Sequence, residues 1–403
     1  MAVSEREQAV ESKPKLQVLT GHQAVAHAMR QIEPDVVAAY PITPQSEIMH
    51  YFAEFVADGK VKSELITVES EHSAMSACVG AAAAGARTMT ATASQGLALM
   101  IEIVYIAAAM RLPIVMAIAN RALSGPINIH CDHSDAMLAR DAGVIQLFAE
   151  DAQEAYDFML IAQRLAEHPE VLLPVMVNLD GFTLTHTADV VELLEDEVVK
   201  EFVGEWKPRH PLLDVDHPTT QGPFALPEYY FELKRQQVDA MESARRVLGE
   251  VQVEFAKLSG RRYEGFFEPY SLEDAEWALV VMGSTAGTAK EAVDRLRARG
   301  EKVGLLKLWL FRPFPREEVA QALKDKKAVA VLDRAFSLGS RGPLYLEVSS
   351  ALYEHAPERR PRLYNYTYGL GGRDTSAGQL EEVLREIQDE RLDRRMRYIG
   401  LRG

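Results

Sequence analysis

Residues 88–120 read TMTATASQGLALMIEIVYIAAAMRLPIVMAIAN, and the fold follows from them. Thr88 to Ala93 reads as a buried strand, Ser94-Gln-Gly96 as a turn, the residues through Met110 as a helix, and Pro113 to Ala119 as another buried strand. The apolar run Leu97 to Ala119 has the length of a membrane span. Glu102, Arg111 and Pro113 interrupt it, and charges inside a span are costly. Helix followed by strand is the better reading. Strands joined by crossover helices pair in parallel and are covered on both faces.

The same alternation extends in both directions. Asp35 to Tyr40 is a strand, Pro41 to Pro44 its turn, and Gln45 to Asp58 a helix with Ile48, Phe52 and Phe55 on one side. Leu65 to Val68 is a short strand before a helix from Glu71 to Ala84, closed by Gly85. Val171 to Leu179 is a later strand. Residues 181–227 are rich in proline and acid and read as an irregular connection. Val238, Met241, Ala244, Leu248, Val251, Phe255 and Leu258 follow steps of three and four, which predicts one long helix from about Glu228 to Ser259. The βα alternation restarts near 275, with strands at 277–282, 302–310, 328–332 and 362–366 separated by helices. The fold class is therefore α/β, a parallel-sheet domain followed by a smaller α/β domain.

The chain has 403 residues, 59 acidic and 44 basic, for a net charge of −15. That balance argues against a general nucleic-acid binder, which shows a basic face. Two cysteines are too few for an iron–sulfur cluster or an all-cysteine zinc site. Cys78, in an alanine run, reads as core. The N-terminus is polar with no signal-peptide pattern, so the expectation is a soluble, cytoplasmic protein. The C-terminal arginines Arg394, Arg395, Arg397 and Arg402 read as a basic tail, solvated or docked on a partner.

Ligands of parallel α/β sheets bind at the carboxyl ends of strands, and several polar clusters fall there. Tyr40-Pro-Ile-Thr-Pro44 fixes the Thr43 hydroxyl between two prolines, although Thr43 also fits a plain helix cap. Val68-Glu-Ser-Glu-His72 places two carboxylates at a helix start, either as dipole-favoured caps or with one aimed into a cleft as a proton donor or acceptor. Ser94, Gln95 and Gly96 open a helix whose free amides suit an anion, or form a structural turn. The loop from Asn120 to Asp135 carries Arg121, suited to a bidentate carboxylate or to a structural salt bridge. His130, Cys131, His133 and Asp135 lie too close together for a standard zinc spacing, and no metal site is assigned. Gly283-Ser-Thr-Ala-Gly-Thr288 is a weak phosphate-loop signal, and Gly369-Leu-Gly-Gly-Arg-Asp374 a glycine loop of no evident use.

In combination these segments are more specific. The order YPITPQS, SEHSA with GAAAAGART, TATASQGLALM, NRAL and DH, then VMGSTAGTAKEAV, GEKVGLLKLWLFRPFP, VLDRAFSLGSRGPLYLEV and GLGGRD, resembles the α-subunit of the 2-oxoacid:ferredoxin oxidoreductases, most of all the pyruvate type, over about residues 18–390. The resemblance implies a pyrimidine-binding-type thiamine diphosphate domain over 18–226, after a polar extension at 1–17. It implies a helical linker at 227–265, a transketolase-C-like domain at 266–390 and a tail at 391–403.

The resemblance further implies thiamine diphosphate shared with a partner subunit, Mg2+ and iron–sulfur (4Fe-4S) clusters on partner subunits of β, γ and δ type, and coenzyme A and ferredoxin as co-substrates. Glu71 is then the residue that hydrogen-bonds N1′ of the aminopyrimidine and activates the cofactor. Thr43, Arg121 and Asn128 contact the 2-oxoacid, and Ser94, Gln95 and Gly96 border the cofactor. His72 and Ser73 depart from one version of the pattern, which leaves room for a different pocket. Pyruvate is the expected substrate. 2-Oxoglutarate, branched-chain or aromatic 2-oxoacids and oxalate are alternatives, as is the β-type subunit of a lipoamide-linked dehydrogenase.

Overall fold

The computed structural model describes residues 15–402; most of the polar extension lies outside the described residues. The chain runs β1 (Lys15–Thr20), α1 (Gly21–Ile32), β2 (Val36–Ala39), α2 (Ser46–Ala57), β3 (Glu64–Thr67), α3 (Glu71–Ala84), β4 (Thr88–Thr92), α4 (Ser94–Ala109), β5 (Val115–Asn120), α5 (Ser134–Leu138), β6 (Ile145–Phe148), α6 (Ala152–Ala166) and β7 (Val175–Asp180). It continues through β8 (Ala188–Leu193), α7 (Asp196–Val203), α8 (Pro227–Ser259), β9 (Phe267–Tyr270), β10 (Trp277–Val281), α9 (Thr285–Arg297), β11 (Val303–Leu308), β12 (Leu310–Arg312), α10 (Arg316–Leu323), β13 (Ala328–Asp333), α11 (Pro343–His355), β14 (Arg362–Thr367), α12 (Ala377–Glu386) and β15 (Arg397–Tyr398).

Two sheets form the frame. The first has the order β12-β6-β7-β5-β4-β2-β3, the second β15-β14-β13-β10-β11-β9. All pairs in them are parallel except β12 on β6 and β9 on β11. Strands β4, β5 and β7 are buried along their whole length, as continuous apolar runs flanked by helices must be. The alanine-rich α3 packs its small residues Ala74, Cys78 and Ala82 against Leu97, Met100 and Val104 of α4, so the two helices that open the candidate site lie close together. The buried Cys78 thiol is pushed up to about 12 by desolvation, as befits a core residue.

Three features differ from the sequence reading. Within 181–227 there is a strand, β8, which pairs antiparallel with β1, and a short helix, α7. β8 finds its partner at the other end of the domain, which no local pattern discloses. The predicted strand 302–310 breaks at Trp309: β11 stays in the second sheet, and β12 crosses back to edge the first. The two halves therefore share a sheet. The basic tail is not simply solvated. Arg397 and Tyr398 pair with β14, while Arg391 and Arg395 pair with Asp389 and Asp393. Among the described residues no helix is long and apolar enough to cross a membrane.

Candidate active site

The carboxyl ends of β2, β4, β5 and β7 gather the polar clusters of the sequence. Ser70 caps α3, its hydroxyl accepting the Ser73 N–H at 3.2 Å. The cap role is thereby filled, and the two acids beside it differ. Glu69 is exposed and accepts the Ser73 hydroxyl at 2.6 Å. Glu71, in the first turn, is only 7% exposed. It has no hydrogen-bond or ion-pair partner among the described residues. A largely buried carboxylate without a donor in its own chain is free to accept a hydrogen bond from a ligand.

Gly96 explains why Glu71 sits where it does. A Cβ at residue 96 would strike Thr92 Oγ1 and lie 2.7 Å from Glu71 Oε1 and 2.9 Å from its Cγ. The first turn of α4 thus supports the Glu71 side chain through a surface only glycine provides. Thr92 Oγ1 is itself buried without a partner. Ser94 corrects one expectation. Its N–H is not free for an anion but donates to Asp135 Oδ2 at 2.9 Å. Its hydroxyl lies 2.6 Å from both the Ala122 carbonyl and Gln95 Oε1. Ser94, at φ 47°, shapes the turn, and the partly exposed Gln95 is left at its mouth.

Thr43 does not cap α2, which begins after Gln45 with no side-chain cap. It is exposed, and its hydroxyl has no partner among the described residues. Its carbonyl accepts Arg121 Nη1 at 2.9 Å, and the Asn128 carbonyl accepts Arg121 Nε at 3.0 Å. Arg121 is 7% exposed and forms no ion pair among the described residues, so the salt-bridge alternative is set aside. Two neutral carbonyls orient its planar fork and leave its charge for an incoming anion. Asn128 is corrected too. Its side chain is engaged by the Gly371 carbonyl at 3.1 Å and the His130 N–H at 2.7 Å. Asn128 therefore holds the loop, and only its carbonyl faces the guanidinium. Gly181 lets the site close: a Cβ there would meet the Asn120 carbonyl and lie 2.9 Å from Pro44 Cγ.

The glycine motifs of the second half serve the domain junction. Ser284 donates through N–H (3.1 Å) and hydroxyl (2.6 Å) to Asp180 Oδ2, so the Gly283 turn binds a carboxylate of the protein itself rather than a phosphate. Arg334 Nη1 and His133 Nε2 also reach Asp180, each at 2.7 Å. Burial alone would raise the Asp180 carboxyl, but Arg334, His133 and the hydrogen bonds hold it far below the usual range. Gly372 N–H donates to the Cys131 carbonyl at 2.7 Å, and Gly369 accepts Arg334 Nε. The GLGG loop thus docks on the loop that carries Arg121. A second buried cluster, Lys307 with Glu150, Glu154 and Glu268, locks the halves from the side.

Single-residue patterns did not disclose Asp135, Asn120 or Asp180 as site-building residues, since each works through partners distant in sequence. The position of Asp180 at a strand's carboxyl end is the one local signal it carried.

Comparisons with known proteins give the family. Residues 27–252 match the family described as pyruvate flavodoxin/ferredoxin oxidoreductase, thiamine diphosphate-binding. Residues 275–380 match pyruvate:ferredoxin oxidoreductase core domain II. The pyruvate synthase subunit PorA of Thermotoga maritima is 61% identical over 95% of this chain and 97% of its own. PorA of Methanocaldococcus jannaschii is 48% identical over 98% of this chain and all of its own. The ketoisovalerate oxidoreductase subunit VorA of Pyrococcus abyssi is 43% identical over 98% of this chain and all of its own. The solved 2-oxoglutarate:ferredoxin oxidoreductase of Magnetococcus marinus shares the fold at TM-score 0.71 and 21% identity, over 93% of this chain and 66% of that one. The chain belongs to the pyruvate flavodoxin/ferredoxin oxidoreductase family.

Proposed function

We propose that this chain is the α-subunit of a multi-subunit, thiamine-diphosphate-dependent pyruvate:ferredoxin oxidoreductase. The reaction converts pyruvate and coenzyme A to acetyl-CoA and CO2 with two electrons passed to ferredoxin, or runs in reverse. The observation that carries this reading is Glu71, a buried carboxylate with no donor of its own, supported from below by Gly96. Thiamine diphosphate, when bound, supplies the nucleophilic carbon and the electron sink for decarboxylation. Glu71 is the residue that would hydrogen-bond the ring nitrogen N1′ and hold a proton between the two. Arg121 receives the substrate carboxylate in its fork. The Thr43 hydroxyl, exposed and one residue from the rigid Pro44, would be the donor to the ketone oxygen. The close approach of Pro44 to Gly181 fixes the turn that carries Thr43.

Two cysteines cannot carry a cluster, and both are buried. On this reading the clusters belong to partner subunits, and the family resemblance assigns to them the Mg2+ and the surface that completes the cofactor site as well. The 61% identity to PorA of Thermotoga maritima against 43% to VorA favours pyruvate, and the VorA likeness makes a branched-chain 2-oxoacid the second reading. The test is the purified complex, assayed for iron and for ferredoxin reduction with pyruvate, ketoisovalerate, 2-oxoglutarate and oxalate, each with coenzyme A. Highest kcat/KM with pyruvate and an iron-containing, brown complex are expected. A colourless complex that reduces lipoyl protein, or no turnover of pyruvate, overturns the proposal.

A further inference from the structure

Asp135 is a buried carboxylate to which the chemistry above gives no part. It is the second residue of α5 and 0% exposed. Its Oδ2 accepts two backbone N–H groups, Ser94 at 2.9 Å and Arg121 at 3.0 Å. Its Oδ1 accepts Asn120 Nδ2 at 2.9 Å and the Ala136 N–H at 2.7 Å. No cation pairs with it among the described residues. Burial pushes its carboxyl up to about 6, against the pull of the N–H groups of Arg121, Asn120 and Ser94.

A carboxylate held in the interior by neutral donors alone is an expensive way to anchor a five-residue helix. An apolar side chain there would fill the space with no desolvation cost. It could not join two strand ends through one oxygen atom. Ser94 opens the turn that presses Gly96 against Glu71, and Arg121 carries the guanidinium held by the Thr43 and Asn128 carbonyls. The two backbone segments belong to β4–α4 and to the end of β5, and Asp135 Oδ2 bridges them.

We propose that Asp135 is a positioning residue that fixes the separation between Glu71 and Arg121, and so the register between the cofactor-activating carboxylate and the site for the substrate carboxylate. The inference rests on the reading of Glu71 and Arg121 given above. The DHSD segment in the loop after β5 divides the work: His133 reaches Asp180 at the junction, Asp132 holds Ser134 at the start of α5, and Asp135 reaches inward to the site. Asn120 is part of the same device. It passes one N–H to Asp135 and lies 3.1 Å from Asn178 Oδ1 on the neighbouring strand.

The test uses the assembled complex and four variants. Asp135→Asn keeps the shape but turns one acceptor into a donor facing the donors around it. Its kcat/KM for the 2-oxoacid is expected to fall by roughly 10- to 100-fold, the scale of a sub-ångström to one-ångström misplacement. KM should rise because Arg121 shifts, and kcat should fall because Glu71 shifts. Glu71→Gln and Arg121→Lys serve as references.

A merely structural residue would lower the yield of folded complex and leave KM and kcat per folded site unchanged; that result overturns the proposal. If Asp135→Asn matches wild type while Glu71→Gln and Arg121→Lys lose activity, this inference alone fails. If all three match wild type, the reading of the site fails with it. Should Asp135→Asn not assemble, Asn120→Ala removes one of the four donors. It is expected to raise KM in the same direction by a smaller factor, and an unchanged KM overturns the proposal.

Discussion

Replacing Gly96 by alanine is the most geometric perturbation of the site. The new methyl would lie 2.7 Å from Glu71 Oε1 and 2.9 Å from Glu71 Cγ. Ordinary contact begins near 3.4 Å, so the carboxylate must retreat by about 0.7 Å. It has little room, because Thr92 crowds the same methyl from the strand side. A misplacement of about 1 Å costs on the order of 100-fold in rate, and the expected drop in kcat/KM is therefore roughly 30- to 100-fold, or about 2–3 kcal/mol of transition-state stabilisation. Backbone propensity works the other way. Alanine is favoured over glycine inside a helix by up to about 1 kcal/mol, so the fold is not weakened on that account. The assay is pyruvate-dependent reduction of ferredoxin by the assembled complex, with the melting temperature measured alongside. Activity within about threefold of wild type in an intact complex would refute the reasoning, since Glu71 would then tolerate displacement.

Three further outcomes follow from named contacts. Arg121→Lys removes the planar fork that the Thr43 and Asn128 carbonyls orient. It is expected to raise KM for the 2-oxoacid about tenfold or more, the scale of a charge-assisted hydrogen bond, and steady-state kinetics with a range of pyruvate concentrations check it. Asp180→Asn leaves Arg334 buried at the domain junction with its counter-charge removed. A loss of about 3–5 kcal/mol is expected, seen as a lower denaturant midpoint, and an unchanged midpoint refutes the junction argument. Asp333 is buried at the end of β13, and desolvation raises its carboxyl to about 7 against the opposing N–H groups of Leu344 and Tyr345 and the side chain of Asn365. A carboxyl raised in the folded state stabilises below its unfolded value near 4, and that contribution is lost as pH rises through about 7. The slope of stability against pH between 4 and 7 should flatten in Asp333→Asn, and an unaltered slope refutes the assignment.

Much of the frame was legible because the relevant signals are local. β4, α4 and β5 follow from residues 88–120 alone, as buried runs separated by a turn and a long helix. The long α8 follows from its three-four spacing. β8 and β12 were not legible, because each is a strand only by virtue of a partner across the domain: β1 for one, β6 for the other. At the site the sequence singled out Glu71, Thr43 and Arg121 by position at strand ends and by resemblance; the structure joins Arg121 to the Thr43 carbonyl and leaves Glu71 without a partner among the described residues. It misjudged Ser94 and Asn128, since a polar residue at a strand end looks the same whether its donors are free or engaged by neighbours such as Asp135 and Gly371. The Gly283 turn carried a phosphate-like signature for a related reason. A helix N-terminus that receives a carboxylate from the same chain has the sequence of one that receives a ligand.

The central claim is that Glu71 activates thiamine diphosphate held between this chain and a partner. The measurement that tests it most directly is the rate at which the C2 proton of thiamine diphosphate bound to the complex exchanges with deuterated solvent, compared between wild type and Glu71→Gln. The account predicts that cofactor still binds and that exchange slows by roughly 100- to 10,000-fold, the range of a lost general acid–base group. Exchange at the wild-type rate in the Glu71→Gln complex would contradict it.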